Sequence, residues 1–127
     1  MYPSDVKYTK EHEWARIQGK VATIGVTHFA QDSLGDVVFV DLPAKGAQLK
    51  QFAKFGEIES VKAVSDLFSP LAGRVVAVNE EAKANPELVN KDPYGKGWLI
   101  KVELADSAQA KGLLDSGAYQ KLISQPK

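Results

Sequence analysis

The chain has 127 residues, with sixteen Lys and Arg balancing sixteen Asp and Glu for a formal net charge of +0. That length supports one modest hydrophobic core, and the charge balance supplies no global field to draw the protein to nucleic acid or to an anionic membrane. With no cysteine in the chain, a disulfide framework, a thiolate metal site and a thiol nucleophile are excluded, so any thiol chemistry must be imported.

The opening "MYPSDVKYTKEHEW" has neither the apolar centre of a signal peptide nor the Arg-rich, acid-poor character of a transit peptide. No apolar run approaches the length of a membrane span. A soluble, cytoplasmic protein is the expectation. From Trp14 to Leu104, short runs of Val, Ile and aromatics are punctuated by Gly, Pro and Asp, the pattern of a small all-β domain. Predicted strands cover Glu13–Gln18, Val21–Val26, Val37–Leu42, Phe55–Val61, Arg74–Val78 and Trp98–Leu104. "QGK" at Gln18–Lys20 fits a hairpin turn, and "THFAQDSLG" reads as a short helix capped by Thr27 and stopped by Gly35. "SPLAG", Ser69–Gly73, is a turn. Asn79–Gly97, polar and carrying Pro86 and Pro93, reads as a long excursion with at most a helical turn. After Leu104 the spacing becomes helical, predicting two short helices over about 106–123 packed on a β body over about 13–104, the second capped by Asp115 or Ser116.

Parity singles out Lys62 in "GEIESVKAVSD". Alternate residues of a strand face opposite ways, so a straight strand over Phe55–Val64 would put Lys62 on the core side with Ile58 and Val64. An unpaired buried ammonium is costly, so the chain is expected to turn near Lys62, although Val61, Lys62 and Ala63 are not turn formers. Periodicity alone leaves two readings open: a snorkelling surface lysine, or an exposed functional one. His12 and His28 lack metal-ligand spacing, and no metal site is expected. No nucleophile elbow, phosphate-binding glycine loop or zinc-protease motif is present. The single Gly of "FGEIES" suggests a close backbone approach or bulge. Glu11, Glu13, Glu57, Glu59 and Asp66 read first as solvated edge and turn charges that discourage strand aggregation. Trp98, Phe39 and Val40 read as core, because large side chains in alternating strands fill a sandwich interior.

The run "FGEIESVKAVSDLFSPLAG", with "YTKEHEW", "VATIGVTHFAQDSLGDVVFVDLP" and "NPELVNKDPYGKGWLIKVEL" in the same order, resembles the H proteins of the glycine cleavage system. The resemblance covers nearly the whole chain and implies a flattened β sandwich, a hybrid barrel of the biotinyl and lipoyl carrier type, with a lysine at a hairpin tip. It implies a non-catalytic carrier with lipoate in amide linkage to Lys62. The implied partners are a pyridoxal-phosphate-dependent glycine decarboxylase, a tetrahydrofolate-dependent aminomethyltransferase, dihydrolipoamide dehydrogenase, and a lipoate-attaching ligase or transferase. By matched position, Glu13 of "HEW", Ser33 of "QDSLG" and Asp66 of "VSD" would form a pocket for the loaded arm, with Glu11 a further carboxylate. Glu57 and Glu59 would be read by the ligase. Some family members have His where this chain has Ser33, and Ala82 stands where a larger aliphatic is common. A relay of lipoyl groups during lipoate assembly would need the same lysine. A biotin carrier would ordinarily have Met beside its lysine, whereas Lys62 lies between Val61 and Ala63. An unmodified structural β module is the third alternative.

Overall fold

The computed structural model describes residues 1–124. The larger of its two antiparallel sheets has the order β1-β2-β3-β9-β8-β5, with β1 at Lys7–Tyr8, β2 at Glu13–Gln18, β3 at Val21–Val26, β5 at Gln48–Leu49, β8 at Gly73–Val78 and β9 at Ile100–Leu104. The smaller has the order β4-β6-β7, with β4 at Val37–Asp41, β6 at Lys54–Ser60 and β7 at Val64–Phe68. Val40, Ile58 and Leu67 of the smaller sheet share one buried cluster with Ile24, Val75 and Val102 of the larger. This is the sandwich expected of alternating strands, with one face of each sheet turned inward.

The predicted strands are present, and Gln18 pairs with Val21 to close the first hairpin as expected. Strands β1, β5 and β7 lack a sequence signal: two are too short to show alternation, and β7, "VSDLF", carries polar residues at two of its five positions. Gly56 makes the anticipated close approach, since a Cβ there would run into the Asp41 carbonyl oxygen. The register shifts between Lys54 and Gly56 at the same place.

Phe39 is a correction to the expected core. The register slips between Val37 and Phe39, and the extra residue of such a bulge breaks the alternation. Val38 and Phe39 are consequently both exposed, at 48% and 54%, while Val40 returns to the core at 2%. Trp98 is half-buried against a second cluster, formed by Val6, Tyr8, Trp14 and Tyr119.

Helix α1, His28–Leu34, begins as predicted at Thr27, whose side chain accepts a hydrogen bond from the Ala30 N–H, and ends at Gly35. The excursion after β8 holds two helices rather than one turn at most: α2, Glu80–Ala84, and α3, Glu87–Lys91. Asn79 caps α2 at the Ala82 N–H, and its own amide donates to the carbonyls of Lys96 and Trp98. Pro86 marks the start of α3 instead of breaking a helix, because its missing N–H would be unpaired in a first turn in any case. Ala82 is fully buried in α2. Downstream, a 3-10 turn at Ser107–Gly112 precedes α4, Ser116–Ser124. Of the two cap candidates, Asp115 accepts the Ala118 N–H at 2.8 Å. Among the described residues, no helix is long and apolar enough to cross a membrane.

Candidate functional site

Lys62 stands at the exposed turn between β6 and β7, which removes the parity conflict of a straight strand. Ser60 makes the turn. Its N–H donates to the Ala63 carbonyl at 2.8 Å, and its Oγ accepts the N–H groups of Lys62 and Ala63 at 3.3 and 3.1 Å. A serine hydroxyl that satisfies the backbone two and three residues ahead substitutes for the Gly or Asn a tight turn would otherwise need. Lys62 thus leaves the hairpin with its backbone held and its ammonium in solvent. Among the described residues it enters no ion pair.

The tip is braced from behind. The Val61 N–H donates to the Asp36 carbonyl at 3.1 Å. Asn90, on α3, donates to the carbonyl of Gly35 at 2.8 Å and accepts the Val37 N–H at 2.8 Å, so one amide clamps the link between α1 and β4. Gly35 has φ +78, and a Cβ there would lie 3.6 Å from Cε of Lys62. A side chain at this position would be strained by the positive φ, while the lysine stem itself lies only at ordinary contact distance. Ser33, two residues earlier, is exposed on α1.

Glu13 belongs to the other end of the hairpin. It is only 2% exposed. Its Oε1 accepts the Thr9 hydroxyl at 2.7 Å, and its Oε2 accepts the Phe68 N–H at 3.1 Å, where β7 ends. Burial pushes the carboxyl up to about 7, against the opposing pull of those hydrogen bonds. Thr9 and Phe68 also line a cavity of about 490 Å³, together with Tyr8, Phe52, Leu113 and Leu114, and with Lys10 and Glu11 on its polar side. From Val64 to Phe68, β7 spans about 13 Å at strand rise and forms an edge of the smaller sheet. It leads from the lysine toward the cavity.

The remaining acids share the outer face of the smaller sheet. Asp41, Glu57 and Asp66 are direct cross-strand neighbours, as are Phe39, Glu59 and Val64. Lys54 bridges Glu57 at 3.0 Å and Asp66 at 3.1 Å, and these hydrogen bonds, Glu57 first, raise its ammonium above the usual lysine range. Asp66 is therefore occupied by a cation already, whereas Glu59 forms no ion pair among the described residues. The acids matched by position thus separate. Glu13 is buried on Thr9 and the Phe68 N–H, two groups whose residues line the cavity, Asp66 and Glu57 face Lys54, and Ser33 is exposed on α1, two residues before Gly35. Ser60 and Asn90 are not singled out by the sequence. A serine two residues before an improbable turn is the signal for Ser60, while Asn90 meets Gly35 only through the fold.

Residues 6–126 match the family model described as glycine cleavage H-protein. A glycine cleavage system H protein of Symbiobacterium thermophilum is 56% identical over 92% of this chain and 91% of its own length. One from Bacteroides thetaiotaomicron is 53% identical over 97% of this chain and 98% of its own. The crystal structure of a glycine cleavage system H protein from Mycobacterium marinum superposes with a TM-score of 0.89 at 37% identity, covering 97% of this chain and 99% of that one.

Proposed function

The chain belongs to the glycine cleavage H-protein family, carrier subunits that are not themselves catalysts, and on that premise we propose that Lys62 is the residue that bears lipoate in amide linkage. The observation that carries this reading is the Ser60-closed turn, which presents Lys62 exposed, and without an ion pair among the described residues, at the end of a braced hairpin. An enzyme attaching the acyl group needs an accessible amine, and a rigid base beneath it fixes where the arm starts. When attached, lipoate supplies the disulfide that takes an aminomethyl group from glycine decarboxylase and yields it to the tetrahydrofolate-dependent aminomethyltransferase, leaving a dithiol for dihydrolipoamide dehydrogenase to reoxidise. The absence of cysteine from this chain accords with sulfurs supplied from outside it. Tethering raises the effective concentration of the cargo at each docked partner.

Between transfers, Glu13 is the acceptor for the charged end of the loaded arm. The cavity beside it is walled by Tyr8, Leu113 and Leu114, which suit an uncharged acyl chain, and amide formation removes the lysine charge that such surface would reject. An ammonium brought to Glu13 favours its ionised form. A charge-assisted hydrogen bond of roughly 2 kcal/mol would favour the held arm on the order of 30-fold, strong enough to protect and weak enough to release. Ser33 and Asp66 contribute less, Ser33 because it is exposed on α1 and Asp66 because Lys54 already engages it. Glu59, with no competing ion pair among the described residues, is the better candidate for contact with the lipoate-attaching ligase, and Glu57 the weaker.

Intact mass and peptide mapping after expression with lipoate and a lipoate ligase test the assignment. The lipoyl mass increment is expected on Lys62 and is lost in Lys62→Arg, which keeps the charge but not the acylatable amine. An unmodified Lys62 beside a modified control lipoyl domain would sink it. A relay role in lipoate assembly uses the same lysine. It is separated by asking whether loss of the protein cripples glycine cleavage alone or also the lipoylation of 2-oxoacid dehydrogenases.

A further inference from the structure

Phe52 occupies a position that neither core packing nor turn chemistry accounts for. Its φ is +65, in the left-handed region that bulky L-residues avoid and that Gly or Asn ordinarily fills. The residue is 56% exposed, so only partial apolar burial offsets that backbone cost. The surrounding turn is nevertheless tightly held: the Phe52 N–H donates to the Ser69 carbonyl at 2.6 Å, the Ser69 N–H to the Ala53 carbonyl at 2.9 Å, and the Gln51 side chain to the Pro70 carbonyl at 3.1 Å. Those anchors sit directly after Phe68, the residue whose N–H meets Glu13. Phe52 and Phe68 both line the cavity of about 490 Å³. Strain in an over-determined turn at the rim of a binding cavity is the pattern of a functional constraint.

We propose that Phe52 is the closing residue of the arm cavity: its ring lies over the acyl chain borne by Lys62 and shields the loaded end at Glu13 from water. This rests on the reading of Lys62 as the lipoyl attachment point and of Glu13 as the acceptor for the loaded arm. The backbone turn aims the ring, and the occupant supplies the apolar contact that the ring lacks when the cavity holds only solvent. An exposed aromatic face that gains burial only on loading stabilises the held arm without contributing to the stability of the unloaded fold. Phe52 is in this sense a positioning residue, since the charge on the cargo is met by Glu13.

Two measurements test it. With 4-fluorophenylalanine placed at position 52 alone, the fluorine resonance is expected to move when Lys62 is lipoylated and the arm loaded; a resonance unchanged in all three states overturns the proposal. In parallel, the lifetime of the aminomethylated form is followed by mass in wild type, Phe52→Ala, Phe52→Leu, Phe52→Gly and Glu13→Gln. Phe52→Ala is expected to shorten it on the order of fivefold, with Leu restoring part of the loss. Phe52→Gly, which relieves the left-handed backbone, is expected to raise the melting temperature while still shortening the lifetime. That combination separates a covering role from a structural one. If Glu13→Gln shortens the lifetime and Phe52→Ala leaves it unchanged, Phe52 covers nothing and the Glu13 reading stands. If neither variant changes it, the cavity does not hold the arm and both readings fall.

Discussion

At Glu13 a carboxyl that is ordinarily charged near neutrality lies almost wholly out of water, and burial raises it from 4.5 to about 7. A carboxyl raised in the folded state favours folding in its protonated form. Its contribution to stability is therefore complete below about pH 4.5 and is lost as the pH climbs through about 7. Replacing it by Gln removes that penalty. The stability of Glu13→Gln relative to wild type is expected to improve from pH 5 to pH 8, on the order of 3 kcal/mol, measured by urea unfolding at both pH values. If Glu13 holds the loaded arm as proposed, the same ionisation acts on arm retention with the opposite sense. The ratio of loaded-arm lifetimes, wild type over Glu13→Gln, should rise from pH 6 to pH 8 as Glu13 becomes an anion able to hold the amine. A pH-independent ratio would count against Glu13. The type and spacing of residues in "HEW" brought Glu13 forward only through family resemblance. Its burial and its partners Thr9 and Phe68 come from a strand pairing and a sheet edge that no local pattern encodes.

Among the elements, the β6–β7 hairpin owes its turn to a side chain. Ser60→Ala removes the acceptor for two backbone N–H groups and is expected to cost about 1 kcal/mol, read as a lowered melting temperature, with slower enzymatic modification of Lys62 in a mass time course. Parity alone indicated that a turn was required there, yet the turn-forming signal is spread over Ser60 and the brace from Asp36. The C-terminal helix is attached by a different device. Tyr119 Oη lies 2.8 Å from Thr27 Oγ1 and 2.7 Å from His12 Nδ1, and its ring stacks on Tyr8 at 4.6 Å between centroids. One hydroxyl thus joins α4, the start of β2 and the residue that caps α1. Tyr119→Phe leaves Thr27, which is fully buried, with one partner fewer and is expected to cost about 1–3 kcal/mol in denaturant unfolding, while lipoylation of Lys62 proceeds at the wild-type rate. Helical spacing predicted α4, but its docking face depends on Tyr8 and Thr27, which lie about a hundred residues away.

For the whole molecule, the balance of charge carries its own test. The chain starts at a formal net charge of +0, so converting one ammonium to an amide takes it to −1. Lipoylated protein should migrate toward the anode by one charge on a native gel near neutrality, and Lys62→Arg should not shift. By itself the sequence determined the strand-rich class, most strand positions, the cap at Thr27, a cap at Asp115 or Ser116, and the anomaly at Lys62, because alternation, capping chemistry and the cost of burying an ammonium act over a few residues. Only the tertiary structure decided that the bulge before Phe39 turns that ring to solvent and that Lys54 occupies Asp66. The same holds for Asn90 clamping the segment behind Lys62, and for Phe52 lining one cavity with Thr9 and Phe68, the two residues that hydrogen-bond Glu13. Each depends on register and on contacts between distant segments, where a shift of one residue sends a side chain to the opposite face.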